Sequence, residues 1–175
     1  MHKAVALPFI VIAAVVVGGL LYLFGGPSFH PQISATNPVT APAKVAGNAS
    51  TLVLGHGTSA NGFDQRVNYR ITDVEQFAAL WQMVYANNAP ALPTVDFSKY
   101  EVLAVFDGSH TSGGYDVQVK SIEDASGNRT IHILHSAPGD ACTTASAISS
   151  PFVIVQVSAS TLPVTHIDDT QTNQC

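Results

Sequence analysis

The chain has 175 residues, 46% of them hydrophobic, and a formal net charge of −5 at pH 7. This length allows one or at most two domains. Beyond residue 24 the chain carries all 12 acidic residues but only six of its seven Lys and Arg residues, so it lacks the basic surface that binds nucleic acid or anionic lipid.

An uncharged run opens the chain, from Ala4 to Phe24, with the sequence AVALPFIVIAAVVVGGLLYLF. As a helix it would span about 31 Å, which matches the roughly 30 Å hydrocarbon core of a bilayer. Lys3 precedes the run and the next cation is Lys44, so the N-terminus is predicted to be cytoplasmic and the rest to lie in the periplasm or extracellular space. The length of the run and its bulky end favour a membrane anchor, residues 1–24, over the alternative of a cleaved signal peptide.

Residues 25–50 are predicted to form a linker. They contain four prolines and one charge, and they are rich in Ser, Thr, Ala and Asn. Such a composition buries too little apolar surface to offset the entropy lost on ordering. The segment is therefore interpreted as a semi-extended tether.

Residues 51–175 carry the patterns of a β-rich domain. Apolar runs and polar/apolar alternation predict about six strands, at 51–54, 66–71, 100–106, 115–122, 129–134 and 152–157. The alternation of the fourth run slips near Ser121, and the polar residues 168–174 give no strand signal.

The domain also contains the pattern of one helix. Apolar residues recur at helical spacing, at Val74, Phe77, Ala78, Trp81, Val84 and Tyr85. Thr72 and Glu75 fit a capping box at its start, and Asn87–Pro90 would end it. The predicted fold is α+β: a mostly antiparallel sheet, as a sandwich or an open barrel, with one covering helix, preceded by a single transmembrane helix.

The chain has two cysteines, Cys142 and Cys175. In an oxidising compartment two cysteines most simply form one disulfide, which would tie down the polar C-terminal tail. Two unrelated thiols are the alternative, and neither cysteine has the short ligand spacing of a zinc site.

An ordered series of short motifs runs from residue 55 onward. Its members are a glycine-bracketed turn at 57–62, ITDVEQFAALW at 71–81, Val95–Phe97 followed by EVLAVFDG, Thr111–Tyr115 (TSGGY), and the strand entry Pro151–Val155. The series resembles the C-terminal domain family of PrcB-type protease complex subunits. The resemblance implies an envelope-associated, non-catalytic domain linked to protease complexes.

Within this series, residues Thr111, Ser112, Gly113, Gly114 and Tyr115 are the best candidates for binding a partner. Adjacent glycines allow positive φ or the close approach of another chain. A turn needed only by the fold is the alternative interpretation. His56, in a second glycine-containing loop, is a further candidate for partner binding, although the sequence alone does not place the two loops together.

Three functions follow from these observations. The preferred hypothesis is a membrane-tethered interaction module that assembles with or stabilises an exported or envelope protein such as a protease, without catalytic residues, metal or cofactor. The second is a protease inhibitor that presents Gly113, Gly114 and Tyr115. The third is a small hydrolase or metal enzyme that uses His56, His110 and Asp107, although no HExxH, CxxC or Gly-x-Ser-x-Gly motif is present.

Overall fold

The structure is a computed structural model that describes residues 47–175. The predicted anchor at residues 4–24 and nearly all of the predicted linker lie outside the described residues. No helix within residues 47–175 is both long enough and apolar enough to cross a bilayer. The elements are β1 (Gly47–Asn48), β2 (Thr51–Gly57), β3 (Val67–Ile71), α1 (Val74–Tyr85), a 3-10 turn (Ala86–Asn88), β4 (Tyr100–Phe106), β5 (Asp116–Ala125), β6 (Asn128–Pro138), β7 (Phe152–Ser158) and β8 (Val164–Asn173).

The strands form two four-stranded sheets. The first sheet has the order β1-β5-β6-β8 and the second has the order β2-β7-β4-β3. All paired strands are antiparallel except β6 and β8, which are parallel. The register of β5 against β6 shifts between Val119 and Ser121, where the sequence predicted a slip. The prediction of an α+β domain dominated by antiparallel sheet is confirmed, in its sandwich form.

The second sheet is the middle layer of the domain, because both of its faces are apolar. On β4, Val102, Ala104 and Phe106 join the core beneath the helix, whereas Leu103 and Val105 join the core between the sheets. Successive side chains of a strand point to opposite faces, so a continuous apolar run is what a strand covered on both sides requires. Residues 102–106 are accordingly all buried.

Helix α1 begins one residue later than the capping box predicted. Asp73, not Thr72, is the N-cap, and its Oδ1 accepts a 2.8 Å hydrogen bond from the backbone N–H of Gln76. Either side chain suits the position by type, but the extended backbone falls at Asp73. The helix ends at Tyr85 and leads into the 3-10 turn.

The helix packs against the second sheet with four buried residues, which are Phe77, Leu80, Trp81 and Val84. The predicted stripe was wrong for Val74, which is 56% exposed because it lies at the first position of the helix, at the border of the contact. Trp81 is buried and donates through Nε1 to the carbonyl of Pro90 at 2.9 Å.

The C-terminal tail is ordered, contrary to the expectation that only a disulfide would hold it. Residues 164–173 form β8, which pairs with β6 from Arg129 to Pro138. The predicted disulfide is confirmed: Cys142 and Cys175 are bonded, with their Cα atoms 5.3 Å apart. Beside it, the backbone N–H of Gly139 donates to the carbonyl of Asn173 at 2.9 Å.

A buried charge network joins the two sheets at the start of β4. Glu101 is 1% exposed and accepts hydrogen bonds from Arg70 at 2.7 and 2.9 Å and from Arg129 at 2.7 Å. Arg129 is also buried, binds Asp124 through two 2.7 Å bonds and donates to the carbonyl of Ser158. The hydrogen bonds from Arg129 lower the pKa of Asp124, against a smaller opposing effect of burial.

Candidate interaction surface

The predicted partner-binding loop lies between β4 and β5 and is paired with a second loop, residues 139–150, between β6 and β7. His110 and Ser149 exchange two backbone hydrogen bonds, of 2.8 and 3.0 Å. The hydroxyl of Ser149 donates to the carbonyl of Ser112 at 2.7 Å, and the N–H of Gly113 donates to the carbonyl of Ala145 at 3.0 Å. The two segments, residues 109–115 and 139–150, are called the paired loops below.

The two adjacent glycines differ in what their positions tolerate. Gly114 has φ +94°, and a Cβ atom there would lie 3.0 Å from Cβ of Pro138. At Gly113 a Cβ atom would meet only Ala145, at an ordinary 3.7 Å. Both the backbone conformation and the available space therefore require glycine at position 114. At position 113 neither of them does.

Tyr115 is half-buried. Its ring stacks on the imidazole of His110, with ring centroids 3.8 Å apart and planes 7° from parallel. Two rings held in this way lose little further freedom on binding, but their stacked faces are already occupied by each other.

His56 lies beside this region at the end of β2. Its Nε2 is 2.6 Å from Oδ1 of Asp116, the residue that follows Tyr115. Gln118 donates to the other oxygen of the same carboxylate at 2.8 Å. The structure thus places His56 next to the predicted loop. Its side chain is 43% exposed, so the histidine and the loop lie on one surface.

Asp107 links the paired loops to the interior. It follows the last residue of β4, and its side chain is 10% exposed. His110 Nε2 lies 2.7 Å from one of its oxygens, and His135 Nδ1, from β6, lies 2.5 Å from the other. Burial raises the pKa of Asp107, but hydrogen bonds from His135 and His110 outweigh it, so the pKa is lowered overall.

The same network continues to the C-terminal strand. Nε2 of His135 is 3.2 Å from Asp168 on β8, which also binds Arg66 at 2.6 Å and His166 at 3.3 Å. The hydrogen bond to Asp107 is the main cause that raises the pKa of His135, and burial partly opposes it. Burial also raises the pKa of Asp168, and its bonds to His135 and Arg66 reverse that effect.

The residues of the enzyme hypothesis occupy two different pairs. His110 bonds to Asp107, whereas His56 bonds to Asp116. Within residues 47–175, no group of three or more His, Cys, Asp and Glu side chains is arranged to hold a metal ion. The sequence interpretation missed His135 and Asp168, because only the sandwich topology brings β4, β6 and β8 to one end of the domain.

Ile148, in the second of the paired loops, was also missed by sequence interpretation. It is 78% exposed, the largest exposed fraction among the big apolar side chains of residues 47–175. The available signal was a lone branched aliphatic residue in the small, uncharged stretch ACTTASAISS.

The network predicts a pH dependence of stability. A raised pKa means that the contribution of His135 is complete below about 6.5 and is lost as the pH rises through its folded pKa. Replacing His135 with glutamine should therefore destabilise the domain more at about pH 5.5 than at about pH 9. Urea unfolding at each pH, followed by the fluorescence of Trp81, the single tryptophan, measures the loss of stability in the two conditions.

The matched control for this prediction is His132→Gln. His132 lies on the same strand, but its Nε2 is 3.8 Å from a carboxylate oxygen of Glu123, too far for a hydrogen bond. An equal loss for His135→Gln at both pH values would contradict the prediction. The pKa values of Asp107 and Asp168 are lowered from their ordinary value of 3.8. The contribution of these two carboxylates to stability is therefore complete above about pH 3.8 and is lost as the pH falls through their folded pKa values.

The fold and site define a class: a three-layer α+β domain in which a helix covers a two-sheet sandwich and paired loops project from one end. A family model described as PrcB C-terminal matches residues 102–158. Over these residues the match confirms the resemblance predicted from the sequence. It spans β4 to β7 and includes both Thr111–Tyr115 and Ile148. No curated protein and no solved structure matched the chain.

Proposed function

We propose that the chain is a membrane-tethered, non-catalytic interaction module of the cell envelope that assembles with or stabilises an exported protease. The PrcB C-terminal match supports the general part of this proposal, which is that the chain is a subunit associated with a protease complex. The tether and the compartment rest on the uncharged run at residues 4–24, the cation Lys3 before it, and the disulfide, which suits an oxidising environment.

The observation that carries the proposal is the bonding between the paired loops. Ser112, Gly113, Ala145 and Ser149 satisfy one another's polar groups, so the surface they form is held in one arrangement before any partner arrives. A preorganised surface loses less conformational entropy on binding than a flexible one. This arrangement suits recognition of a folded partner.

The histidines near the surface form separate pairs with carboxylates, His110 with Asp107 and His56 with Asp116. Asp107 has both oxygens bonded to imidazoles, and His110 is additionally stacked on Tyr115. The inhibitor alternative at Gly113, Gly114 and Tyr115 is less favoured, because the ring of Tyr115 stacks on His110 and the N–H of Gly113 is already bonded to Ala145.

Replacing Gly114 with alanine tests the proposal. The change places a side chain at φ +94° and against Pro138, which costs about 1–3 kcal/mol and displaces the loop. We expect the amount of full-length chain recovered in a complex with an exported protease, after crosslinking in native membranes, to fall about tenfold. Native electrophoresis and mass spectrometry of the complex measure this.

Gly113→Ala is the matched control, because its added methyl group has room. It should leave the complex intact, and Trp81 fluorescence should show that both variants are folded. The proposal fails if the unmodified chain enters no complex containing a protease. The role of the loop is refuted if Gly114→Ala, shown to be folded, assembles as well as Gly113→Ala.

A further inference from the structure

Ile148 lies at the end of four consecutive exposed residues, Ala145–Ile148. The three residues before it have small side chains, so nothing of similar size on that segment screens it from a partner. Segment 141–150 carries no charge, and the nearest charged residue on its N-terminal side is Asp140. A single bulky aliphatic side chain therefore projects from a small, neutral stretch.

Both ends of this exposed segment are fixed. Ala145 accepts a hydrogen bond from Gly113, and Ser149 is bonded to His110 and Ser112. Ser150 is buried, and its hydroxyl donates to the carbonyl of Phe63 at 2.9 Å. Earlier in the same loop, the disulfide ties Cys142 to the end of the chain.

The backbone of the projecting residues is free to bond elsewhere. Within residues 47–175, the N–H and C=O groups of Ala147 and Ile148 make no hydrogen bond. A partner can therefore bind main-chain groups and side chain together. Exposure of a large aliphatic side chain to water is unfavourable, so its burial in a partner's pocket stabilises the complex. Because the loop is already fixed, this burial costs little conformational entropy.

We propose that Ile148 is the anchor residue of the interface and enters an apolar, uncharged pocket on a protein of the protease complex. This inference rests on the proposed function and adds the chemistry of the contact. The neutral surroundings of Ile148 match a pocket lined by apolar side chains and not a charged one. Anchors of this kind contribute a disproportionate share of binding energy when they fill a desolvated pocket.

The test uses the full-length chain in its native membranes. A benzophenone amino acid is placed at position 148 in one variant and at position 167 in another, and both are irradiated. Ile167 is the matched control, because it is an isoleucine that is 48% exposed on β8, outside the paired loops. We expect position 148 to give an adduct with a protease-complex protein, attached within an apolar pocket of that protein, and position 167 to give little.

A second pair of variants, Ile148→Asp and Ile167→Asp, measures the contribution of the anchor. Ile148→Asp should reduce the complex about tenfold or more, and Ile167→Asp should not. Trp81 fluorescence checks that both are folded. Equal complex in the two variants, or equal adducts at the two positions, overturns the inference while the proposed function stands. Absence of any protease complex with the unmodified chain overturns both.

Discussion

Replacing Glu101 with alanine should lower the free energy of unfolding by about 3–5 kcal/mol. Glu101 is 1% exposed and is the acceptor shared by Arg70 and Arg129. Removing its carboxylate leaves the buried Arg129 with Asp124 as its remaining carboxylate partner, and a buried charge that loses a partner cannot recover the hydration it gave up. Urea unfolding followed by Trp81 fluorescence gives the difference.

Lys99→Ala is the control for this prediction. Lys99 also forms an ion pair, with Asp96 at 2.8 Å, but both side chains are largely in water, at 71% and 47% exposure. Water screens such a pair, so its loss should hardly change the unfolding midpoint. If Glu101→Ala were no more destabilising than Lys99→Ala, the buried network would not hold the sheets together.

Removing the disulfide, with Cys142→Ser and Cys175→Ser together, should lower the free energy of unfolding by about 3–4 kcal/mol. The bond closes a loop with a sequence separation of 33, and this restricts the unfolded chain. The loss should be concentrated where β8 meets loop 139–150. Hydrogen exchange would detect it as faster exchange of the amide of Gly139, which bonds to Asn173.

A reducing agent provides the internal control for the disulfide. It should destabilise the unmodified chain by the same amount and leave the double variant unchanged. If reductant shifted both proteins equally, or neither, the stabilisation could not be attributed to this bond.

The parts of the fold that follow local patterns could be predicted from the sequence. The run at residues 102–106 is apolar throughout because both faces of β4 are covered, and alternation breaks at Ser121 because the register shifts there. The cysteine pair was predictable because two cysteines in an exported domain have few alternatives. Each of these signals is contained in a short stretch of chain.

The parts that depend on distant segments could not be predicted. Residues 164–173 lack an apolar face, and β8 forms because β6 offers a free edge from Arg129 to Pro138. Thr111–Tyr115 and His56 were candidates because of their glycine-containing loops, but the sequence could not show that the two loops lie side by side. The partners that hold the first of these loops, Ser149 and Ala145, lie more than 30 positions further along the chain. Likewise, the exposure of Ile148 depends on the path of its loop and not on its own type.

The position of β7 has a consequence for the order of folding. β7 lies between β2 and β4 in the second sheet, yet it follows them in the chain. Its pairs join Val53 to Val155 and Leu103 to Val155, so the middle of this sheet is made of long-range contacts. Such topologies fold slowly, because large loops must close before their contacts form. The edges of β2 and β4 that face β7 therefore stay unpaired until β7 forms, and the chain is most prone to aggregation at this stage of folding.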